Sequence, residues 1–186
     1  MFIQAQAVVL APRAFVRPLA GVLLPLSERR RLAKLRALAQ GKGIEVLDRV
    51  FSREEIDGLL NACDAFVSLH RAEGFGLPCA EAMALGKPVV ATDYSGTREF
   101  LDSATGFPVP YRLAELSRAV GPYAAGGSWA EPDLDAAAAL LRRVVEDRTE
   151  ALRRAQAGAR RMREGFGVGP AGQRLARQLD SLRSRA

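Results

Sequence analysis

Pro88-Val89-Val90-Ala91-Thr92 is the stretch that most constrains how this chain can fold. It is a short apolar run, apolar enough to be covered on both faces. A strand of that kind belongs to a parallel sheet with helices packed on either side. Two further short apolar runs, Ile44–Leu47 and Ala65–Leu69, precede it. Helical patterns stand between and around them. From Ser27, a candidate cap, Leu32, Leu35 and Leu38 recur on one face, and Gly41 and Gly43 end the helix. Ser52-Arg53-Glu54-Glu55 is a capping box, and the helix it opens turns Ile56, Leu59, Leu60 and Cys63 inward. Pro78 stands where a first helical turn starts; Ala80, Met83, Ala84 and Leu85 follow, with Gly86 as the stop. A short helix is predicted around Thr97–Leu101 and a fourth extended piece near Gly106–Val109. Strands alternating with helices predict an α/β fold with a parallel sheet.

The two ends are less regular. The stretch from Tyr111 to Pro132 reads as an irregular loop, with Gly121, Pro122, Gly126 and Gly127. Three helical segments follow, over about 133–147, 150–164 and 170–184. Residues 1–26 form an atypical segment. Ala7–Leu10 or Gly21–Leu24 could be a strand there, but Pro12, Pro18 and Pro25 break anything longer. Residues 27–186 then constitute the domain, C-terminal helices included.

The 186 residues suit a single domain. With 48% hydrophobic and 26% charged residues, a disordered or fibrous chain is excluded. Two cysteines, Cys63 and Cys79, cannot form a disulfide framework or a four-cysteine zinc site. Both read as inert small apolar residues on helices. The uncharged run Met1–Pro12 is far short of the ~20 apolar residues of a spanning helix and lacks the basic lead of a secretory signal. The default expectation is a cytoplasmic protein.

The net charge of +6 is unevenly laid out. Residues 1–43 hold 8 basic residues against Glu28 alone; residues 44–141 hold 7 basic against 15 acidic; residues 142–186 hold 12 basic against 5 acidic. Two basic ends therefore flank an acidic centre. Arginine-rich helix faces in solvent account for the ends, with an anionic membrane surface as the alternative partner. Nucleic acid is not expected.

Chemistry concentrates in His70-Arg71-Ala72-Glu73-Gly74-Phe75-Gly76-Leu77-Pro78-Cys79-Ala80-Glu81. This segment leaves a strand, turns through two glycines and enters a helix at Pro78. Ligands of open parallel sheets bind at the carboxyl ends of the strands. Glycines let a ligand approach the backbone, and a helix N-terminus offers free N–H groups to an anion. Glu73 on the loop and Glu81 in the first helical turn would face that crevice. A carboxylate accepts from two vicinal hydroxyls at once, which suits a sugar diol. The plainer reading makes Glu73 a turn residue and Glu81 a favourable charge near a helix start.

Glu73 and Glu81, within Glu-Gly-Phe-Gly-Leu-Pro-Cys-Ala-Glu-Ala-Met-Ala-Leu-Gly-Lys-Pro-Val-Val-Ala-Thr, resemble the E-x7-E signature of group 1 glycosyltransferases with the GT-B fold. Asp64–His70, Asp93–Phe100, Thr105-Gly106 and Trp129–Asp133 resemble the surrounding family motifs in the same order. The resemblance covers about residues 27–186. It implies a Rossmann-like domain, the C-terminal half of a GT-B fold, carrying a nucleotide-sugar donor site. By this resemblance Glu81 holds the ribose hydroxyls. Glu73, the catalytic candidate, holds the donor sugar with the backbone of Gly74, Phe75 and Gly76. Leu77 and Pro78 aim helix N–H groups at the diphosphate. His70 and Arg71 are further donor contacts. The family implies retaining, metal-independent transfer, so no cofactor or metal is expected. It also implies a diphosphate clamp ahead of the helix at 27–40, a pattern that residues 1–26 do not show, and a separate N-terminal acceptor domain. Two alternatives stand beside this reading: a non-catalytic or degenerate sugar-nucleotide module, and an Arg-rich peripheral membrane binder. Asp133-Leu134-Asp135 is expected to start a helix rather than hold a metal. His70 is the one histidine, which excludes a two-histidine metal site.

Overall fold

Residues 26–120 and 123–183 are described by a computed structural model. The expected segment 1–26 lies outside the described residues except for Leu26, as do Gly121 and Pro122. The chain divides between Ala62 and Cys63 into two compact units.

Before that division lie two helices, α1 (Leu26–Ala39) and α2 (Arg53–Ala62). Ser27 is the second residue of α1. Leu35 and Leu38, on the recurring apolar face, are 42% and 54% exposed. Gly41 and Gly43 take positive φ and end the helical path as predicted. Ile44–Leu47 does not form the predicted strand. A strand exists through pairing, and no strand stands among the described residues of this unit to pair with it. The capping box forms: Glu55 N–H donates to Ser52 Oγ at 3.2 Å, and Ser52 N–H donates to Glu55 Oε2 at 2.8 Å. Arg49 adds an ion pair to Glu55 at 2.7 Å and lies over the Phe51 ring.

After the division, β1 (Phe66–Ser68), β2 (Val89–Thr92) and β3 (Phe107–Val109) form a parallel sheet in the order β1-β2-β3. Phe66 pairs with Val89, and Val90 with Phe107. The central strand β2 is buried throughout, as its composition requires. Helix α3 (Leu77–Ala84) makes the crossover from β1 to β2, and a 3₁₀ turn (Ser95–Glu99) follows β2. On one face α4 (Leu134–Glu146) brings Ala137 and Val144 to Val67, Val90, Phe107 and Val109. On the other, α3 packs against β1 and β2 and is backed by α5 (Arg148–Arg161). A π turn (Met162–Phe166) and α6 (Val168–Arg183) complete the chain. No helix among the described residues is long and apolar enough to cross a membrane.

Tyr111–Pro132 departs from the predicted irregular loop. β4 (Tyr111–Glu115) and β5 (Ser128–Pro132) pair antiparallel, Tyr111 opposite Pro132 and Glu115 opposite Ser128. Their connection is too long to carry the short turn signals by which a hairpin is recognised. Cys63 and Cys79 are buried, as expected, although Cys63 lies just past the end of α2.

Two side chains of α5 lock it to the sheet. Arg154, 9% exposed, donates to Gly106 O at 3.0 Å and stacks over Phe107. Arg161 donates to Phe100 O and to Asp102 Oδ2 at 2.6 Å. Between them Gly158 touches the next turn so closely that a Cβ would stand 2.8 Å from Thr105 O and 2.9 Å from Met83 Cε. The carbonyl is backbone and cannot swing away. Gly158→Ala is therefore expected to destabilise by about 1–3 kcal/mol through overpacking. Gly172→Ala on α6, with open space around it, is expected to stabilise by about 0.5–1 kcal/mol. Urea unfolding of both variants checks the pair; equal effects would contradict this packing.

Arg153 and Arg154 hydrogen-bond the Glu150 carboxylate and hold its pKa at about 2, below the ordinary 4.5. A depressed carboxyl pKa gives stability that is present above pH 4.5 and fades as the pH falls toward 2. Glu150→Gln should flatten the acid limb of melting temperature against pH in that window. An unchanged limb would show that solvent screening cancels the pair.

Candidate functional site

The segment between β1 and α3 lies at the carboxyl end of the sheet. Ser68 ends β1, and two residues on, His70 is 4% exposed. Its Nε2 is 3.1 Å from Tyr94 O and its Nδ1 is 3.2 Å from Ser68 Oγ. A carbonyl only accepts, so Nε2 donates to it, and in the neutral ring Nδ1 then accepts from the serine hydroxyl. His70 is thus a buried tie between β1 and the turn after β2.

Arg71 points the other way. Its Nε and Nη2 both donate to the Glu131 carboxylate at 2.7 Å, and its guanidinium lies 5.1 Å from the centre of the Trp129 ring. Its carbonyl accepts from Ala130 N–H at 2.9 Å. These hydrogen bonds hold the Glu131 pKa below, and the Arg71 pKa above, the ordinary value. Arg71, a donor contact by the family resemblance, ties to the β4–β5 hairpin in this structure.

Glu73 folds over its neighbour, Oε1 accepting from Gly74 N–H at 3.1 Å, while its carbonyl accepts from Ser95 Oγ at 2.5 Å. Gly74 and Phe75 are exposed, and Phe75 leans on Phe100 and Phe166, ring centres 5.2 and 5.7 Å away. Gly76 is the N-cap of α3 at φ 87°, and no side chain caps that helix. Pro78, near the helix start, has no N–H, so the amides of the first turn come from its neighbours. Leu77, 62% exposed, directs its side chain outward. Glu81 stands in the second turn of α3, not the first, because the helix already begins at Leu77. Side chains lean toward the helix start, which brings a second-turn carboxylate back over the first turn.

Burial pushes the Cys79 thiol up to about 12, so it is no nucleophile at neutral pH. Asp133 caps α4, its carboxylate accepting from Ala136 N–H at 2.9 Å, as its place at a helix start suggests. Among the described residues no three His, Cys, Asp or Glu side chains converge as a metal-ligand set.

The loop is backed by residues that sequence reasoning did not assign to the site. Ser95, Gly96 and Thr97 lie directly against Glu73–Gly76, and Phe166 reaches Phe75 from the π turn. The Ser-Gly pair after a buried strand was the available signal for the turn. Nothing local marks Phe166.

The chain matches the family described as Glycosyl transferases group 1 over residues 8–122. No curated protein matches it. Among solved structures it is similar to the sucrose-phosphate synthase of Thermosynechococcus elongatus, with 22% identity and a TM-score of 0.63 over 86% of this chain and 35% of that one. It is similar to Anabaena HepE in complex with UDP, with 24% identity and a TM-score of 0.63 over 84% of this chain and 38% of that one. The C-terminal domain of LpcC, a group 1 glycosyl transferase from Francisella tularensis, matches at 23% identity and a TM-score of 0.54 over 77% of this chain and 64% of that one. The chain thus spans little more than a third of the length of the first two. At these identities the likeness shows the fold, a Rossmann-like half of the GT-B kind.

Proposed function

The chain belongs to the group 1 glycosyl transferase family, and from that premise we propose that it binds a nucleotide-sugar donor and serves its transfer to an acceptor with retention of anomeric configuration. One observation carries the reading. The Glu73–Gly76 loop leaves the carboxyl end of β1 and enters the uncapped start of α3, with Glu81 one turn further on. A diphosphate at that helix start meets partial positive charge and backbone N–H donors. Glu81 accepts from the ribose diol. Glu73 and the amides of Gly74 and Phe75 hold the sugar near its reacting carbon. Catalysis then consists of positioning and of stabilising the departing diphosphate, without a metal. HepE, solved with UDP-glucose, supports a ligand of this class. In this proposal the acceptor and the remaining diphosphate charge come from a second domain or subunit.

A second reading, a non-catalytic sugar-nucleotide module, is favoured by the Arg71–Glu131 pair, which ties up the arginine two residues before the loop. Sugar transfer by the chain to any acceptor would overturn it.

Glu81→Ala is expected to weaken nucleotide-sugar binding by about 1–3 kcal/mol, the range for hydrogen bonds to a charged group. Calorimetric titration with wild type and variant tests this, and equal affinities would refute the assignment. Chelation by EDTA is expected to leave the binding unchanged.

A further inference from the structure

Ser95 is the one non-glycine residue with positive φ among the described residues, at 64°. L side chains rarely adopt that conformation, and where they hold it the surroundings must enforce it. Glycine would take it at no steric cost. What serine adds is its hydroxyl, which donates to Glu73 O at 2.5 Å. The next residue is fitted as closely. A Cβ on Gly96 would stand 1.8 Å from Gly74 O and 2.6 Å from Phe75 Cα, so the turn's backbone lies directly under the loop. Across from it, a Cβ on Gly76 would meet Thr97 Cγ2 at 2.7 Å. Three successive residues of the turn thus lie against all four residues of the loop.

The turn is itself held. Buried Thr97 donates from Oγ1 to Thr92 O and Tyr94 O, both at 3.1 Å. His70 donates from Nε2 to the same Tyr94 O. One carbonyl therefore collects ties from both ends of the site: His70 from the start of the loop, Thr97 from under its end. Phe100, just past the turn, supports Phe75 from the side.

We infer that the Tyr94–Thr97 turn is the mould that sets the height and pitch of the Glu73–Gly76 loop, with Ser95 as the positioning residue for Glu73. It acts through backbone rather than by touching a ligand. The inference rests on the donor-site reading in one respect, that Glu73 serves the sugar end of the donor. Ser95 then governs how the sugar is held, while the diphosphate at the start of α3 is held without it.

Two variants of the full chain test this. Ser95→Ala removes the hydroxyl and keeps the strained φ; Ser95→Gly removes both. Hydrogen exchange at the Gly74–Gly76 amides needs no ligand. Both variants are expected to exchange there ~10-fold faster than wild type, as loss of one anchoring hydrogen bond predicts, with melting temperatures near wild type. Calorimetry with UDP-glucose and GDP-mannose, each against its free nucleoside diphosphate, supplies the second readout. The nucleotide-sugar is expected to lose ~5–10-fold in affinity and the diphosphate to stay within twofold. Unchanged exchange in both variants overturns the inference whatever binds. So does an equal loss for diphosphate and nucleotide-sugar, which marks a general structural role. Should the alanine variant fail to fold, the glycine variant decides. Wild type that binds neither nucleotide-sugar overturns the donor-site reading, and the exchange measurement still judges the mould.

Discussion

β2 has a neighbour on each edge and a helical layer on each face, and that enclosure organises residues 63–183. Val89–Thr92 has β1 on one edge and β3 on the other. Parallel neighbours cannot be joined by tight turns, so the chain must cross over the sheet between them. The crossover from β1 to β2 is α3, and its start has to lie at the carboxyl end of β1. The site is where it is because the sheet is parallel. The close approach of α5 at Gly158 and the buried Arg154 then hold the far side of α3 in place.

The site loop is short of side-chain anchors of its own. Gly74 and Gly76 supply no packing, and Phe75 is its one large apolar contact. Its shape is borrowed from three remote segments: the turn after β2, the π turn after α5, and the hairpin that grips Arg71. The ties that hold it run through the Glu73 carbonyl and the Phe75 ring. The buried chain from Ser68 through His70 to Tyr94 holds the loop's first residues. It explains a lone histidine without giving it a chemical step.

What could be read in advance was whatever depends on a local run of residues. The apolar content of Val89–Thr92 announced a doubly covered strand, Ser52–Glu55 announced a helix start, and Gly86 its neighbour's end. Glu73 and Glu81 with the glycines between them marked the segment that leaves β1 and enters α3. The misreadings share one cause. Ile44–Leu47 has the composition of a strand but no partner among the described residues of its unit, and β4 and β5 have partners too far apart in the chain to announce each other. Likewise nothing near Arg71 in the chain announces Glu131, which pairs with it from sixty residues away.

The sequence alone therefore determined the alternation of strand and helix, the parallel sheet it entails, and the glycine turn into α3, because periodicity and turn chemistry act between near neighbours. Tertiary structure alone decided which partner each polar group takes, since those contacts arise only once the sheet brings distant segments together. His70 and Arg71 stand one residue apart, yet one turns into the core and the other out to the hairpin. Ser95 is an ordinary turn serine until the fold lays Glu73 across it.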